Sequence, residues 1–163
     1  MYQFGFVIYF RFKNLIMSEV CFFYKEVSPI ISKRKSLQSF LIGLFKKENK
    51  KLAQLNYVFC SDEALLQINK EYLQHDYYTD IITFDLSASN QEISGEIYIS
   101  VDRVRDNALS LGTTLKEEIH RVVFHGALHL VGYGDKSPKE IITMRAKEDQ
   151  YLKLYFKKVP RGT

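Results

Sequence analysis

The sequence predicts an α+β fold in which a small mixed β-sheet of about four strands packs with helices. Short apolar strands and amphipathic helices follow one another in the order β-α-β-α-β-β-α-α-α, which predicts a sheet with helices packed on it. The two consecutive strands, at 81–86 and 95–100, are joined by a polar loop, which favours an antiparallel pair. The two strand-helix-strand units that precede the pair are expected to cross over in the right-handed sense.

The first half of the chain supplies two strands and two helices. Residues 20–24 suit a strand, and residues 54–60 alternate well enough for another. Ser61 can cap a helix that continues to about Tyr72. Ser36 opens an amphipathic helix whose apolar residues recur at helical spacing, namely Leu37, Phe40, Leu41, Leu44 and Phe45.

Three helices are predicted after the strand pair. A short one covers about 101–111 and stops at a glycine. The next begins at the capping-box pair Thr114 and Glu117 and ends at Gly132, a residue suited to a left-handed stop. The last covers about 137–156, because its first residues, Ser-Pro-Lys-Glu, combine a cap, a proline at the first helical position and a glutamate at the third.

Composition indicates a single globular domain. The chain has 163 residues, 46% of them hydrophobic, and its two cysteines, Cys21 and Cys60, lie in apolar runs. They are expected to pack as small hydrophobes rather than to form a bridge, which is typical of a reducing, cytoplasmic protein. A small secreted scaffold is excluded, and no apolar stretch approaches the roughly 20 residues of a membrane span. A cytoplasmic protein without membrane association is therefore expected.

The first residues differ from the rest. Residues 1–16 contain no helix-capping residue and no sustained alternation of apolar and polar residues, although residues 1–10 are apolar and aromatic. We expect 1–16 to be an extension outside the core and 17–163 to form a single domain, with Met17 as the alternative start. The competing interpretation is that the aromatic segment adds an edge strand or covers a groove.

Basic residues cluster at several points of a chain whose net charge is only +4. The clusters are at 33–35, 46–47, 50–51 and 157–158. Each alone is typical of a solvated helix end, but together they keep nucleic acid among the expected partners.

The residues that indicate chemistry are two histidines four apart on the predicted helix ending at Gly132. His125 and His129 are offset by about 40° around a helix axis, so both imidazoles can reach one cation. The turn after Gly132 could bring Asp135 to the same ion. Two imidazoles and one carboxylate leave a coordination position for water, as in catalytic zinc sites, and predict a zincin-like metal helix. Gly126 stands where H-E-x-x-H peptidases place their catalytic glutamate, which argues against a peptidase.

The segment 125–135 resembles the hallmark H-G-x-L-H-L-x-G-Y-D-H of the YbeY family of metal-dependent endoribonucleases. Asn69 and Tyr72 resemble its N-x-x-Y, residues 79–84 its P-T-D-V-L-S-F, and residues 95–97 its G-D-I. The resemblance covers about residues 55 to 150. It implies one bound zinc ion, cleavage of single-stranded RNA, and a part in 3′-end maturation of small-subunit (16S) ribosomal RNA and in ribosome quality control.

Two positions depart from the family pattern. Asp135 stands where the third ligand is usually a histidine, which keeps zinc favoured but leaves manganese, nickel or iron as alternatives. Leu73 stands where the family often has an arginine suited to a phosphate. Residues that could take over phosphate binding are His75, Lys70 and Arg121, and aromatic residues that could stack bases are Tyr77, Tyr78 and Phe84. None of these six is assigned to the substrate.

The predicted function is accordingly a metal-dependent endoribonuclease with His125, His129 and Asp135 as metal ligands. Beyond the water on the metal, the sequence names no catalytic group. One alternative is a ribosome-associated RNA-binding assembly factor whose metal is structural. A zinc peptidase is the other, and the less favoured one.

Overall fold

The computed structural model describes residues 19–159, so the predicted extension 1–16 and Met17 lie outside the described residues. The described part forms four strands and five helices and confirms the α+β prediction. In chain order the elements are β1 (Val20–Lys25), α1 (Arg34–Lys47), β2 (Lys51–Cys60), α2 (Asp62–Leu73), β3 (Ile81–Asp85), β4 (Glu92–Ser100), α3 (Val101–Leu111), α4 (Leu115–Leu130) and α5 (Pro138–Lys158).

The four strands form one mixed sheet in the order β1-β2-β4-β3. β1 and β2 are parallel, β2 and β4 are parallel, and β3 runs antiparallel to β4 as predicted. Because β3 and β4 form a hairpin, β3 must also run opposite to β2. The second strand-helix-strand unit therefore does not join parallel strands, and the expectation that it crosses over in the right-handed sense was wrong.

Helices cover both faces of the sheet. On one face α2 packs over a small cluster that includes Leu65, Ile82 and Tyr98. On the other face the main core joins the inward side chains of β2 and β4 to α1, α4 and α5. Tyr57 on β2 is fully buried there, and its hydroxyl donates to the backbone carbonyl of Val123 on α4 at 2.9 Å.

Three elements begin earlier than the apolar pattern predicts. α1 starts at Arg34, β2 at Lys51 and β4 at Glu92. The early residues of the two strands are paired through their backbones, with Lys51 opposite Glu92, and the two side chains form an exposed ion pair at 2.6 Å. Ladder hydrogen bonds do not depend on side-chain polarity, so hydrophobic periodicity misses these strand ends.

α4 is the central helix, and it approaches the sheet closely at Gly126. A Cβ atom at that position would lie 2.9 Å from side-chain carbons of both Ile81 on β3 and Ile97 on β4. Real Cβ contacts are longer, so only glycine allows this helix-sheet distance. Among the described residues, no helix is both long and apolar enough to cross a membrane.

Neither Cys21 nor Cys60 forms a disulfide bond, in agreement with the prediction that they form no bridge. Cys60 is fully buried, and burial raises the pKa of its thiol to about 12. A thiol in this state is a packing group rather than a nucleophile or metal ligand.

Candidate metal centre

The end of α4 and the turn after it place three polar side chains at one point. Gly132 has φ +109°, a conformation that L-residues rarely adopt, and so confirms the predicted left-handed stop. The N–H of Tyr133 donates to the carbonyl of Leu128, and that of Gly132 to the carbonyl of His129, both at 3.0 Å. This pair of bonds is a Schellman motif, which reverses the chain and brings Asp135 back to the helix.

The three ligand atoms predicted from sequence converge. Nε2 of His125 lies 2.9 Å from Nε2 of His129, and Oδ2 of Asp135 lies 3.5 Å and 3.3 Å from these two nitrogens. Two donors on one zinc ion lie less than about 4.2 Å apart, because Zn–N bonds are about 2.0–2.1 Å long. All three separations satisfy that limit. Among the described residues, His125, His129 and Asp135 are the group of His, Cys, Asp or Glu side chains whose ligand atoms lie close enough together to hold one metal ion.

Hydrogen bonds to the other ring nitrogens determine the tautomer of each histidine. Nδ1 of His129 lies 2.9 Å from the backbone carbonyl of Tyr133, which can only accept, so this nitrogen carries the proton. Nδ1 of His125 lies 2.8 Å from a carboxylate oxygen of Glu148 and is assigned a proton for the same reason. In the neutral rings both Nε2 atoms then present lone pairs to each other at 2.9 Å. A cation between them would relieve that repulsion, so the residues fit a bound metal ion.

Glu148 is a buried carboxylate that the sequence analysis did not identify. Burial alone would raise its pKa, but the hydrogen bond from His125 and the charge of Arg145 hold the pKa below its ordinary value. Arg121 and Arg145 donate to its second oxygen at 3.1 Å and 2.9 Å. The sequence could have indicated Glu148 through its position on the buried face of α5. The other buried residues of that helix are Met144, Tyr151, Leu152 and Tyr155. A glutamate in an apolar stripe indicates a carboxylate with buried partners.

A second, partly buried network fixes the turn that carries Asp135. The hydroxyl of Tyr133 donates to Glu48, at the end of α1, at 2.9 Å. Lys147 and Tyr151 on α5 donate to the other oxygen of Glu48 at 2.9 Å and 2.5 Å. Burial opposes ionisation of Glu48, but these donors outweigh it and lower the pKa of the carboxyl group. The carbonyl of Tyr133 that accepts from His129 is thereby tied to two further helices.

A cavity of about 540 Å³ opens beside the three ligands. Leu73 and His75, from the end of α2 and the loop after it, lie on its wall, as does Asp80 just before β3. Tyr77 also lines it and is 57% exposed. No described lysine or arginine lines this cavity.

A second cavity of about 420 Å³ meets the first at His125, Asp135, Asp80 and Ile81. Its described lining includes two arginines, Arg121 and Arg145. The side chain of Arg121 is only 18% exposed and is engaged by Glu148 and Asp149, whereas that of Arg145 is 57% exposed.

The other residues singled out from sequence have different positions. Lys70 forms an ion pair with Asp76 at 2.8 Å and lines neither cavity, so the structure does not bring it to the metal centre. Phe84 packs edge-on against Tyr72 and Tyr98 on the α2 side of the sheet, which makes it a core residue.

Asn69, from the family-like N-x-x-Y, is buried, and its amide donates to the carbonyl of Tyr77 at 2.8 Å. It therefore holds the loop after α2 in place. Tyr78 points elsewhere, with the guanidinium of Arg103 4.7 Å from its ring centre.

Gly126 explains why this helix differs from a peptidase helix. Position 126 faces Ile81 and Ile97 of the sheet at a distance that excludes even a methyl group. A glutamate there would have to displace the side chains of Ile81 and Ile97 before it could act at the metal centre.

Comparisons with known proteins agree with this architecture. Residues 25–155 match the family model described as Endoribonuclease YbeY. A protein of Cytophaga hutchinsonii named Endoribonuclease YbeY is 52% identical over 83% of this chain and 96% of its own length. A protein of that name from Parabacteroides distasonis is 41% identical over 82% of this chain and 93% of its own. A Thermotoga maritima protein solved in solution has 27% identity and a TM-score of 0.58, over 84% of this chain and 90% of that one.

Proposed function

Because the chain belongs to the YbeY endoribonuclease family, we propose that it hydrolyses single-stranded RNA at the site formed by His125, His129 and Asp135. Membership of this family makes the chain a hydrolytic nuclease. The observation that carries the assignment to this site is the convergence of two imidazole nitrogens and one carboxylate oxygen at the mouth of an open cavity.

The proposed cofactor is one zinc ion, held by Nε2 of both histidines and by Oδ2 of Asp135. When bound, a divalent ion lowers the pKa of a water molecule and polarises a phosphate oxygen. Imidazole ligands favour zinc, while the carboxylate leaves manganese, nickel and iron as alternatives for the same position.

The chain's own residues have two tasks in this proposal. Glu148 and the carbonyl of Tyr133 keep the protons on Nδ1, so both Nε2 atoms remain free to bind the ion. Arg145, more than half exposed in the second cavity, contacts a phosphate of the RNA next to the cleaved bond. Replacing Arg145 with Gln should then reduce the slope of log binding constant against log salt by about 0.7. An unchanged slope would remove Arg145 from the phosphate site.

We further propose, from the family resemblance, that the RNA is the 3′ end of small-subunit ribosomal RNA and that the protein acts in ribosome quality control in the cytoplasm. The exposed basic residues Lys35, Lys46 and Lys157 support a polyanionic partner. We also propose residues 17–163 as a single hydrolase domain, within which the family match at 25–155 lies.

The test uses purified protein whose bound metal is quantified by mass spectrometry. We expect about one ion per chain, cleavage of a single-stranded oligoribonucleotide, and little cleavage of the same sequence in a duplex. His129→Ala should lose both the metal and the cleavage, and casein should stay intact with either protein. Cleavage that persists in metal-free His129→Ala would refute the metal-dependent site. RNA binding without cleavage by the metal-loaded wild type would favour an assembly factor instead.

A further inference from the structure

The cavity beside the metal centre is poorly suited to a phosphate along its wall. The cavity is lined by three aspartates, Asp80, Asp85 and Asp135. Among the described residues, no lysine or arginine lines it. A second phosphate placed there would meet like charge without compensation, whereas an uncharged base would not. The part of an RNA strand that this wall can accept is therefore a nucleobase.

An aromatic surface is present on the same wall. The rings of Tyr77 and His75 stack, with 5.1 Å between their centres and 22° between their planes. The Tyr77 hydroxyl lies 3.0 Å from Nδ1 of His75, which holds the rings together. His75 covers part of one face of Tyr77, and 57% of the tyrosine nevertheless stays exposed. We call these two residues the ring pair.

The backbone under the ring pair is fixed. Asn69, only 2% exposed, donates from its side-chain amide to the carbonyl of Tyr77 at 2.8 Å. The backbone carbonyl of Asn69 accepts a hydrogen bond from the backbone N–H of His75 at 3.2 Å. Gln74, with φ 58°, makes the left-handed turn that starts the loop. Asn69 thus anchors Tyr77 through its side-chain amide and His75 through its backbone carbonyl, which reduces the entropy lost when a ligand stacks on the two rings.

We propose that the ring pair is a base-stacking subsite that holds one unpaired nucleobase of the RNA beside the cleaved phosphodiester; this rests on the proposed function. Aromatic side chains bind single-stranded nucleic acid by stacking, with little sequence preference, because every base has a π face. A base inside a duplex is already stacked on its neighbours. The subsite would therefore also favour single strands over duplexes.

Tyr77→Ala is the informative variant, and Tyr78→Ala is its matched control. The neighbouring Tyr78 is similarly exposed, at 47%, but it does not line the cavity. Stacking contributes about 1–3 kcal/mol per base, which corresponds to about 5- to 150-fold. We expect Tyr77→Ala to lower kcat/KM on a single-stranded oligoribonucleotide by a factor in that range. Tyr78→Ala should stay within about twofold of wild type.

Oligonucleotides that lack one base identify which nucleobase stacks on the ring pair. We would place an abasic site at each position of the oligonucleotide in turn. At one position near the cleaved bond, kcat/KM of the wild type should fall by the same factor as Tyr77→Ala causes on the intact strand. At that position Tyr77→Ala should cause no further loss, because the stacked base is already absent. Equal losses for Tyr77→Ala and Tyr78→Ala, or a Tyr77→Ala effect that no abasic position removes, would overturn the subsite.

Binding separates this proposal from the cleavage proposal. Fluorescence anisotropy with the metal-free His129→Ala protein measures RNA affinity without turnover. If wild type cleaves no RNA, the proposed function fails, yet a Tyr77→Ala loss of binding in the His129→Ala background still supports the subsite. If wild type cleaves RNA and Tyr77→Ala neither slows cleavage nor weakens binding, only the subsite is refuted.

Discussion

The carboxylate of Glu148 accepts a hydrogen bond from Nδ1 of His125 at 2.8 Å, so a residue of the last helix sets the tautomer of a proposed metal ligand on α4. Loss of such a partner lowers metal affinity by about 10- to 100-fold. We expect Glu148→Gln to weaken zinc binding by that factor, measured by competition with a chelating dye. Asp149→Asn is the matched control, because Asp149 also binds Arg121 but does not contact His125. Equal effects of the two changes would show that Glu148 acts only by pairing with Arg121.

The third ligand is tested at Asp135. Asp135→Ala should abolish stoichiometric metal binding with little change in circular dichroism, because the side chain is 42% exposed and fills no core. Asp135→His should retain or tighten zinc binding, since imidazole suits zinc. Unchanged affinity in Asp135→Ala would place the third ligand elsewhere. Loss of zinc in Asp135→His would mean that the turn after Gly132 accepts only a short carboxylate.

The contact of α4 with the sheet is tested at Gly126. An added methyl group would press on Ile81 and Ile97 at 2.9 Å, and overpacking of this kind costs about 1–3 kcal/mol. Gly43→Ala on α1 is the control, because no atom lies within 4 Å of the added carbon there. It should stabilise the protein by about 0.5–1 kcal/mol through helix propensity alone. Urea unfolding of both variants measures the difference, and a stabilising Gly126→Ala would contradict the close approach.

His120 makes stability dependent on pH. It is 5% exposed and stacks on Tyr155, and burial lowers its pKa in spite of the hydrogen bond to the carbonyl of Lys116. The unfolded chain, with an ordinary histidine pKa of about 6.5, then binds the proton more readily than the folded chain. Stability should therefore fall as pH decreases through about 6.5, until the folded-state pKa is passed.

His120→Phe keeps the ring packing and removes the titrating group. The free energy of unfolding of this variant should decrease less than that of wild type between pH 7.5 and 5.5. Denaturant melts at several pH values provide the comparison. Parallel curves for the two proteins would show that the acid sensitivity comes from other groups.

The N-terminal segment remains a prediction. Deleting residues 1–16 should leave the thermal midpoint within a few degrees, because an extension outside the core contributes little stability. Differential scanning calorimetry of the full chain and the shortened chain measures this. A fall of about ten degrees or more in the midpoint, or aggregation of the shortened chain, would show that the aromatic segment belongs to the core.

Local patterns in the sequence were sufficient for most of the elements and for the meeting of the three side chains predicted to be metal ligands. His125, His129 and Asp135 lie within eleven residues and one helix-turn unit, where helical spacing and a glycine stop determine which side chains meet. The direction of β3 relative to β2 could not be derived in this way, because it follows from the pairing of both strands with β4. Glu148 and Glu48 were also missed, since each reaches the site from a separate helix and tertiary packing alone brings them there.

The same separation along the chain has a consequence for synthesis. Glu148 is made 23 residues after His125, and Tyr133 is made 85 residues after Glu48, its partner at the end of α1. At about 5–20 residues per second, the two histidines exist for roughly one to five seconds before the carboxylate that orients one of them. A nascent chain that ends before α5 thus carries both histidines, but His125 lacks the carboxylate that keeps the proton on its Nδ1. Completion of the polypeptide and completion of the active centre become nearly the same event.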